Sequence, residues 1–133
     1  MEMHIARAYA MRFARATYSH TRMHTSRSTQ KPRIAITMGD VNGIGPEILA
    51  RALARQEFNE ACSVIVFGCK QTLDAASAVV NRTLPSTPVE IIDAGHTISQ
   101  IRAGTVQRDA GAAAVAWIRA AVQAALDGDV DAV

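Results

Sequence analysis

The 133-residue sequence has few aromatic side chains and no long apolar run. Aromatic residues make up 5% of the chain, with a single tryptophan, so a core must be built from aliphatic side chains and close helix contacts. No apolar run approaches the roughly 20 residues that span a bilayer, which predicts a protein with no membrane partner. With 49% hydrophobic and 20% charged residues, the composition is typical of one globular domain.

Cysteine is scarce, and the two cysteines cannot pair with each other. Cys62 and Cys69 flank the apolar run SVIVFG. A strand that rises about 3.3 Å per residue would hold them roughly 23 Å apart, whereas a disulfide needs Cα atoms within about 7 Å. Free thiols indicate a reducing compartment, so we expect the protein in the cytoplasm.

Residues 1–30 almost lack acidic side chains and contain neither glycine nor proline. They hold five arginines and one glutamate, so residues 31–133 carry a net charge of −2 and give no reason to expect a nucleic-acid partner. No continuous apolar segment marks a secretory signal. Three interpretations stay open: a disordered extension from an upstream start, an organellar targeting segment, and a basic arm that contacts phosphate or membrane.

Residues 31–133 are predicted to alternate strands and helices. Three apolar runs are predicted strands: Arg33–Met38, Ser63–Gly68 and Val89–Asp93. Three segments with helical periodicity are predicted helices: Pro46–Phe58, Lys70–Val80 and Gln107–Asp127. This order predicts an α/β fold, with a parallel or mixed sheet, right-handed crossovers and flanking helices.

The predicted helices carry apolar stripes that should face the sheet. In the first helix the stripe comprises Ile48, Leu49, Ala52 and Leu53. In the last helix it comprises Ala110, Ala113, Ala114, Trp117, Ile118, Ala121, Val122 and Ala125, and Gly128 follows as a stop signal. The final residues DVDAV (Asp129–Val133) have the pattern of a new strand, which predicts a sheet that is incomplete in this chain.

The segment ITMGDVNGIGPEI joins the first strand to the first helix through a glycine-rich turn. The spacing of Gly39, Gly43 and Gly45 is not G-x-G-x-x-G, and no Gly-Lys-Ser/Thr completes a phosphate loop. Pro46 removes a backbone donor and Glu47 adds negative charge at the helix start, so the turn is a poor phosphate cradle.

Asp40 and Asn42 have two possible roles in this turn. Their side-chain oxygens could bond nearby backbone N–H groups and stabilise the turn. Alternatively, they could accept hydrogen bonds from substrate hydroxyls or hold a hard cation. His96 stands alone in the segment DAGHTISQ, with no partner set for nucleophilic catalysis or metal binding.

The segment IAITMGDVNGIGPEI, together with VIVFG and GAAAVAWIRAAVQAALDGDVDAV, resembles the amino-terminal part of a known family. That family is the 4-hydroxythreonine-4-phosphate dehydrogenases of pyridoxal phosphate biosynthesis, and the resemblance covers residues 33–133. It implies a fold like isocitrate and isopropylmalate dehydrogenases. It also implies NAD- or NADP-dependent oxidative decarboxylation of 4-phosphooxy-threonine or a related phosphorylated hydroxy acid, with a divalent metal, in a homodimer.

The family resemblance gives an expected role only to residues of the glycine-rich turn. No residue here matches the family's metal-binding histidines or its phosphate-binding lysine and arginine, so no catalytic or metal residue is assigned, and no cofactor is expected to bind this chain alone. The residues expected to line a cleft are Gly39, Asp40, Asn42, Gly43, Gly45 and Glu47. Val41-Asn42 stands where many members have Pro-Ala, which points to a paralogue acting on another phosphorylated sugar acid or a dihydrodiol.

The sequence therefore predicts an amino-terminal fragment of such a dehydrogenase that is inactive by itself. The alternative is a non-catalytic remnant of a split or truncated gene, which binds a partner chain at most.

Overall fold

Among the residues that the structure describes, three short parallel strands form a sheet. The structure, a computed structural model, describes residues 30–85, 89–94, 98 and 100–133. The strands are β1 (Arg33–Thr37), β2 (Ser63–Phe67) and β3 (Glu90–Ile92), in the spatial order β1-β2-β3. Both strand pairs are parallel, as predicted, with Ala35 opposite Ile65 and Val66 opposite Ile91.

The chain end adds a further position to this sheet. Ala132 forms an isolated parallel bridge with Ile34, on the side of β1 away from β2. The backbone N–H of Ala35 donates to Ala132 O at 2.9 Å, and the N–H of Asp131 donates to Arg33 O at 2.8 Å. The predicted start of a strand in Asp129–Val133 is confirmed by this pairing.

In the described part of the chain, four helices connect and cover the strands: α1 (Gly45–Leu53), α2 (Gln56–Ala61), α3 (Lys70–Val79) and α4 (Arg108–Leu126). Helix α4 contacts β1 and β2, whereas α1 packs on α3. Because the chain moves from β1 to β3 and then back past β1, right-handed crossovers place α4 on the opposite face from α1 and α3. Val66 and Phe67 are adjacent in β2 and both fully buried, so both faces are covered there.

The prediction of one helix over Pro46–Phe58 is wrong, because the helix is interrupted at Ala54 and Arg55. Arg55 has an extended backbone (φ −88°, ψ 125°) and begins α2. The side-chain amide of Asn59 donates to Leu53 O at 2.7 Å and to Arg55 O at 3.0 Å. These bonds satisfy carbonyl groups that a continuous helix would use internally, and so stabilise the break.

The buried stripes are narrower than predicted. In α4 the buried residues are Ala110, Ala113, Trp117, Ala121 and Ala124. Ile118 and Val122, predicted to face the core, are 47% and 45% exposed, because each lies one residue beyond the stripe that meets the sheet. Ile48 in α1 is likewise 57% exposed, whereas Leu49 and Leu53 are buried. Alanine at four of the five buried positions allows α4 to approach the strands closely, with Trp117 as the one large side chain on the buried face, whereas Ile118 and Val122 stay half-exposed.

Cys62 and Cys69 are free, as predicted. Within the described ranges, no helix combines the length and the apolar character needed to cross a bilayer. The predicted extension over residues 1–30 lies outside the described residues except for Gln30, and His96 also lies outside them.

A pair of identical substitutions tests this core. Val66→Ala removes buried methyl groups and should lower the free energy of unfolding by about 2 kcal/mol. Val106→Ala makes the same change at a fully exposed residue and should have an effect below about 0.5 kcal/mol. Urea unfolding followed by fluorescence of the single, buried Trp117 measures both. Equal effects of the two substitutions would contradict the burial described here.

Candidate functional site

The glycine-rich turn (residues 39–47) begins where β1 ends, at Met38. The N–H of Met38 donates to Phe67 O at 2.9 Å, which extends the β1–β2 pairing by one residue. A Cβ on Gly45 would overlap the carbonyl oxygen of Met38, and a Cβ on Gly68 would lie 2.7 Å from Met38 Cβ. Met38 is 2% exposed, so two glycines allow the turn and the end of β2 to close around it. The structural need for Gly68 was not predicted from the sequence.

The turn reverses direction at Gly39 and Asp40. Gly39 has φ +75°, a left-handed conformation that favours glycine. One carboxylate oxygen of Asp40, Oδ1, accepts the backbone N–H of Asn42 at 2.9 Å, and Asp40 O accepts the N–H of Gly43 at 3.0 Å. These bonds form an Asx turn, the structural role considered for Asp40 from the sequence.

Asn42 fixes the turn to the segment that precedes α4. Its Nδ2 donates to Gln107 Oε1 at 2.7 Å, and its Oδ1 accepts the N–H of Arg102 at 2.7 Å. Its backbone oxygen accepts the N–H of Gly104, also at 2.7 Å. Asn42 is 3% exposed, so its side chain serves this internal contact. The partners Arg102, Gly104 and Gln107 were not predicted, because they lie about 60 residues away in a segment without periodicity.

The six candidate residues differ in what they offer to a ligand. Asp40 and Gly43 are exposed, Asn42 is buried, and Gly39, Gly45 and Glu47 are half-buried. Glu47 lies in the first turn of α1, and among the described residues its Oε2 is buried without a hydrogen-bond partner. The charge presented by the turn is therefore negative, from Asp40 and Glu47, and Pro46 supplies no donor. This arrangement suits hydroxyl groups or cations better than phosphate.

The described cysteines and acidic residues do not add a metal-binding site to the turn. The part of the chain that the structure describes holds no group of three His, Cys, Asp or Glu side chains placed to bind one metal ion.

The carboxyl ends of β1, β2 and β3 lie at one edge of the sheet because the strands are parallel. The turn stands at that edge, where ligands bind in open α/β sheets.

Two glycine substitutions test the packing of the turn. Gly45→Ala should lower the free energy of unfolding by about 1–3 kcal/mol, since the added methyl group meets backbone that cannot move freely. Gly111→Ala adds the same group in α4 with no atom within 4 Å of it, and should raise stability by about 0.5–1 kcal/mol. Denaturant unfolding of both variants measures these changes in the free energy of unfolding. A neutral Gly45→Ala would show that the turn does not close on Met38.

Several known proteins match this chain, although no protein-family model does. A protein of Symbiobacterium thermophilum, provisionally named a D-threonate 4-phosphate dehydrogenase, is 37% identical over 117 residues. The match covers 77% of this chain and 35% of that protein. A 4-hydroxythreonine-4-phosphate dehydrogenase of Synechococcus sp. is 32% identical over 109 residues, covering 77% of this chain and 32% of its own length.

A comparison of the fold with solved structures points to the same kind of enzyme. The crystal structure of a 4-hydroxythreonine-4-phosphate dehydrogenase from Burkholderia phymatum superimposes with a TM-score of 0.70 and 27% identity, covering 77% of this chain and 35% of that one. The chain thus spans about a third of the length of the curated relatives it matches. Over the part that it shares with them, the chain belongs to the family of 4-hydroxythreonine-4-phosphate and D-threonate 4-phosphate dehydrogenases.

Proposed function

We propose that this chain supplies one wall of the active site of a dehydrogenase that acts on a phosphorylated hydroxy acid. The substrate class is 4-phosphooxy-threonine or D-threonate 4-phosphate, and the reaction is an oxidative decarboxylation that uses NAD or NADP and a divalent metal. The observation that carries the proposal is 37% sequence identity to a protein provisionally named a D-threonate 4-phosphate dehydrogenase, together with the fold shared with the Burkholderia phymatum enzyme. Because the chain covers about a third of that relative, the activity belongs to a longer protein in this proposal.

The turn is the part of the wall that meets substrate. It stands at the carboxyl edge of the sheet, and Asp40 and Gly43 are exposed there. Asp40 keeps Oδ1 on the N–H of Asn42, which leaves its other carboxylate oxygen to accept a hydrogen bond from a substrate hydroxyl. Asn42 positions the turn through Gln107 and Arg102.

The charge of the turn sets the orientation of the substrate. The carboxylates of Asp40 and Glu47 repel a phosphate group, and the helix start offers few donors because Pro46 follows Gly45. We therefore propose that the hydroxyl-bearing carbons face the turn and that the phosphate group points away from it. Basic side chains elsewhere in the longer protein would bind that phosphate group.

The described residues do not fit the metal or the nicotinamide cofactor by themselves. They hold no group of three metal ligands, and the acidic helix start is a poor site for a pyrophosphate. Both groups are therefore proposed for the whole enzyme only.

The remaining features of the whole enzyme follow from the family resemblance. We propose an isocitrate dehydrogenase-like fold, a homodimer and a cytoplasmic location, in which residues 1–30 take no part in the reaction. The free state of Cys62 and Cys69 supports a reducing compartment.

The chain alone should be inactive. Purified residues 1–133, mixed with NAD or NADP, Mg²⁺ or Zn²⁺ and either phosphorylated acid, should give no increase in absorbance of the reduced cofactor above the rate without protein. Sustained, metal-dependent reduction of the cofactor would show that the chain holds a complete active site and would contradict the proposal.

A chimera tests the role of the turn in catalysis. Residues 31–133 would replace the homologous segment of the Burkholderia phymatum enzyme, and the chimera should oxidise at least one of the two substrates. Asp40→Asn keeps the oxygen that accepts from Asn42 but removes the charge, and should lower kcat/KM by about tenfold or more, which is about 1.4 kcal/mol of transition-state stabilisation.

The matched control is Asp74→Asn in the same chimera. Asp74 is an exposed aspartate on α3 whose carboxylate pairs with Lys70, and its substitution should leave kcat/KM within about twofold. Equal effects of the two substitutions would remove Asp40 from the active site. A folded chimera without activity would favour the non-catalytic remnant instead.

A further inference from the structure

Arg102 is a basic residue that the fold brings to the acidic turn. Its backbone N–H donates to Asn42 Oδ1 at 2.7 Å, while the N–H of Asn42 donates to Asp40 Oδ1 at 2.9 Å. Because both are bonded to Asn42, Arg102 N and Asp40 Oδ1 lie within about 10 Å of each other. A basic residue therefore adjoins the negatively charged turn at the carboxyl edge of the sheet.

The backbone around Arg102 is fixed by further hydrogen bonds. Its carbonyl oxygen accepts the N–H of Thr105 at 3.2 Å and the hydroxyl group of Thr105 at 2.6 Å. The N–H of Gly104 donates to Asn42 O at 2.7 Å. These bonds close residues 102–105 into a tight turn and hold it against the glycine-rich turn, so the side chain of Arg102 starts from a defined position.

The guanidinium group of Arg102 is held along one side only. Its Nε and Nη2 both donate to Gln100 Oε1, at 3.0 and 2.8 Å. The remaining N–H groups of Nη1 and Nη2 form a planar fork that fits the two oxygens of a carboxylate or phosphate. Arg102 is exposed, and over the described ranges no carboxylate forms an ion pair with it. Its fork is therefore open to an anionic ligand.

We propose that Arg102 binds the carboxylate of the substrate and so selects acids over neutral sugar phosphates. The inference rests on the proposed function, in which a hydroxyl group meets Asp40 and the phosphate group points away from the turn. In both candidate substrates the carboxylate and the phosphate group stand at opposite ends of the carbon chain, so the carboxylate is the anion nearer the turn. A hydroxyl acceptor at Asp40 and an anion-binding fork at Arg102 together match a hydroxy acid in that orientation.

Ligand binding to the chimera tests this contact. Arg102→Gln removes the guanidinium group but keeps the backbone N–H that bonds Asn42, so the fold is retained, and fluorescence of the buried Trp117 checks it. The variant should raise the dissociation constants of D-threonate 4-phosphate and of D-threonate by the same factor, about tenfold or more. The dissociation constant of the corresponding threitol phosphate, in which a CH₂OH group replaces the carboxylate, should stay within about twofold. Titration calorimetry, with D-threonate as a competing ligand, measures all three.

A conservative variant and a matched control accompany this substitution. Arg102→Lys keeps the charge without the planar fork and should weaken binding of both acids by only about threefold. In turnover, Arg102→Gln should raise KM and leave kcat within about twofold, because the contact is made before the carboxylate is lost. Arg119→Gln removes an exposed arginine from the middle of α4 and should leave the three dissociation constants within about twofold.

Two results would overturn the inference and leave the proposed reaction standing. One is an Arg102→Gln chimera that binds both acids as tightly as the unsubstituted chimera. The other is weaker binding of D-threonate 4-phosphate and threitol phosphate with that of D-threonate unchanged, which would assign Arg102 to the phosphate group. A chimera that binds the acids through Arg102 but does not oxidise them would support the inference and contradict the proposed reaction. A folded chimera that binds none of the three ligands would overturn both.

Discussion

Four hydrogen bonds at Asn42 fix the glycine-rich turn to the segment that precedes α4. One bond closes the Asx turn on Asp40, and three reach Arg102, Gly104 and Gln107 before α4. Asn42 is almost completely buried, so losing one partner would leave a buried polar group unsatisfied, at a cost of about 1–3 kcal/mol. The turn is thereby fixed in one position relative to the sheet.

Apolar packing around Met38 supports the turn in addition to the hydrogen bonds of Asn42. Gly45 and Gly68 leave room for Met38 at the end of β1, and Trp117 of α4 lies fully buried with its Nε1 3.4 Å from Asp93 Oδ1 after β3. The close packing around Met38 and the hydrogen bonds of Asn42 therefore both fix the position of the turn at the carboxyl edge of the sheet. The exposed carboxylate of Asp40 projects from a rigid support, which is what recognition of a substrate hydroxyl requires.

The sequence predicts the local elements well and the long-range contacts poorly. Apolar runs and helical periodicity located the three strands of the described residues, the long helix α4 and the start of a strand in Asp129–Val133, because each signal lies within a few residues. The turn was likewise located by its glycines. The break at Ala54 and Arg55 depends on the side chain of Asn59, and the anchoring of Asn42 depends on residues about 60 positions away, so neither leaves a periodic signal. The exposed Ile118 and Val122 show that an apolar stripe does not reveal which of its members meets the sheet.

The most direct test of the central claim is a crystal structure of the chimera with D-threonate 4-phosphate bound. If the turn forms a wall of the active site, the free carboxylate oxygen of Asp40 lies within about 3.2 Å of a substrate hydroxyl, and the phosphate group points away from Asp40 and Glu47. A substrate bound with no atom near the turn, or with its phosphate group seated at the start of α1, would contradict it.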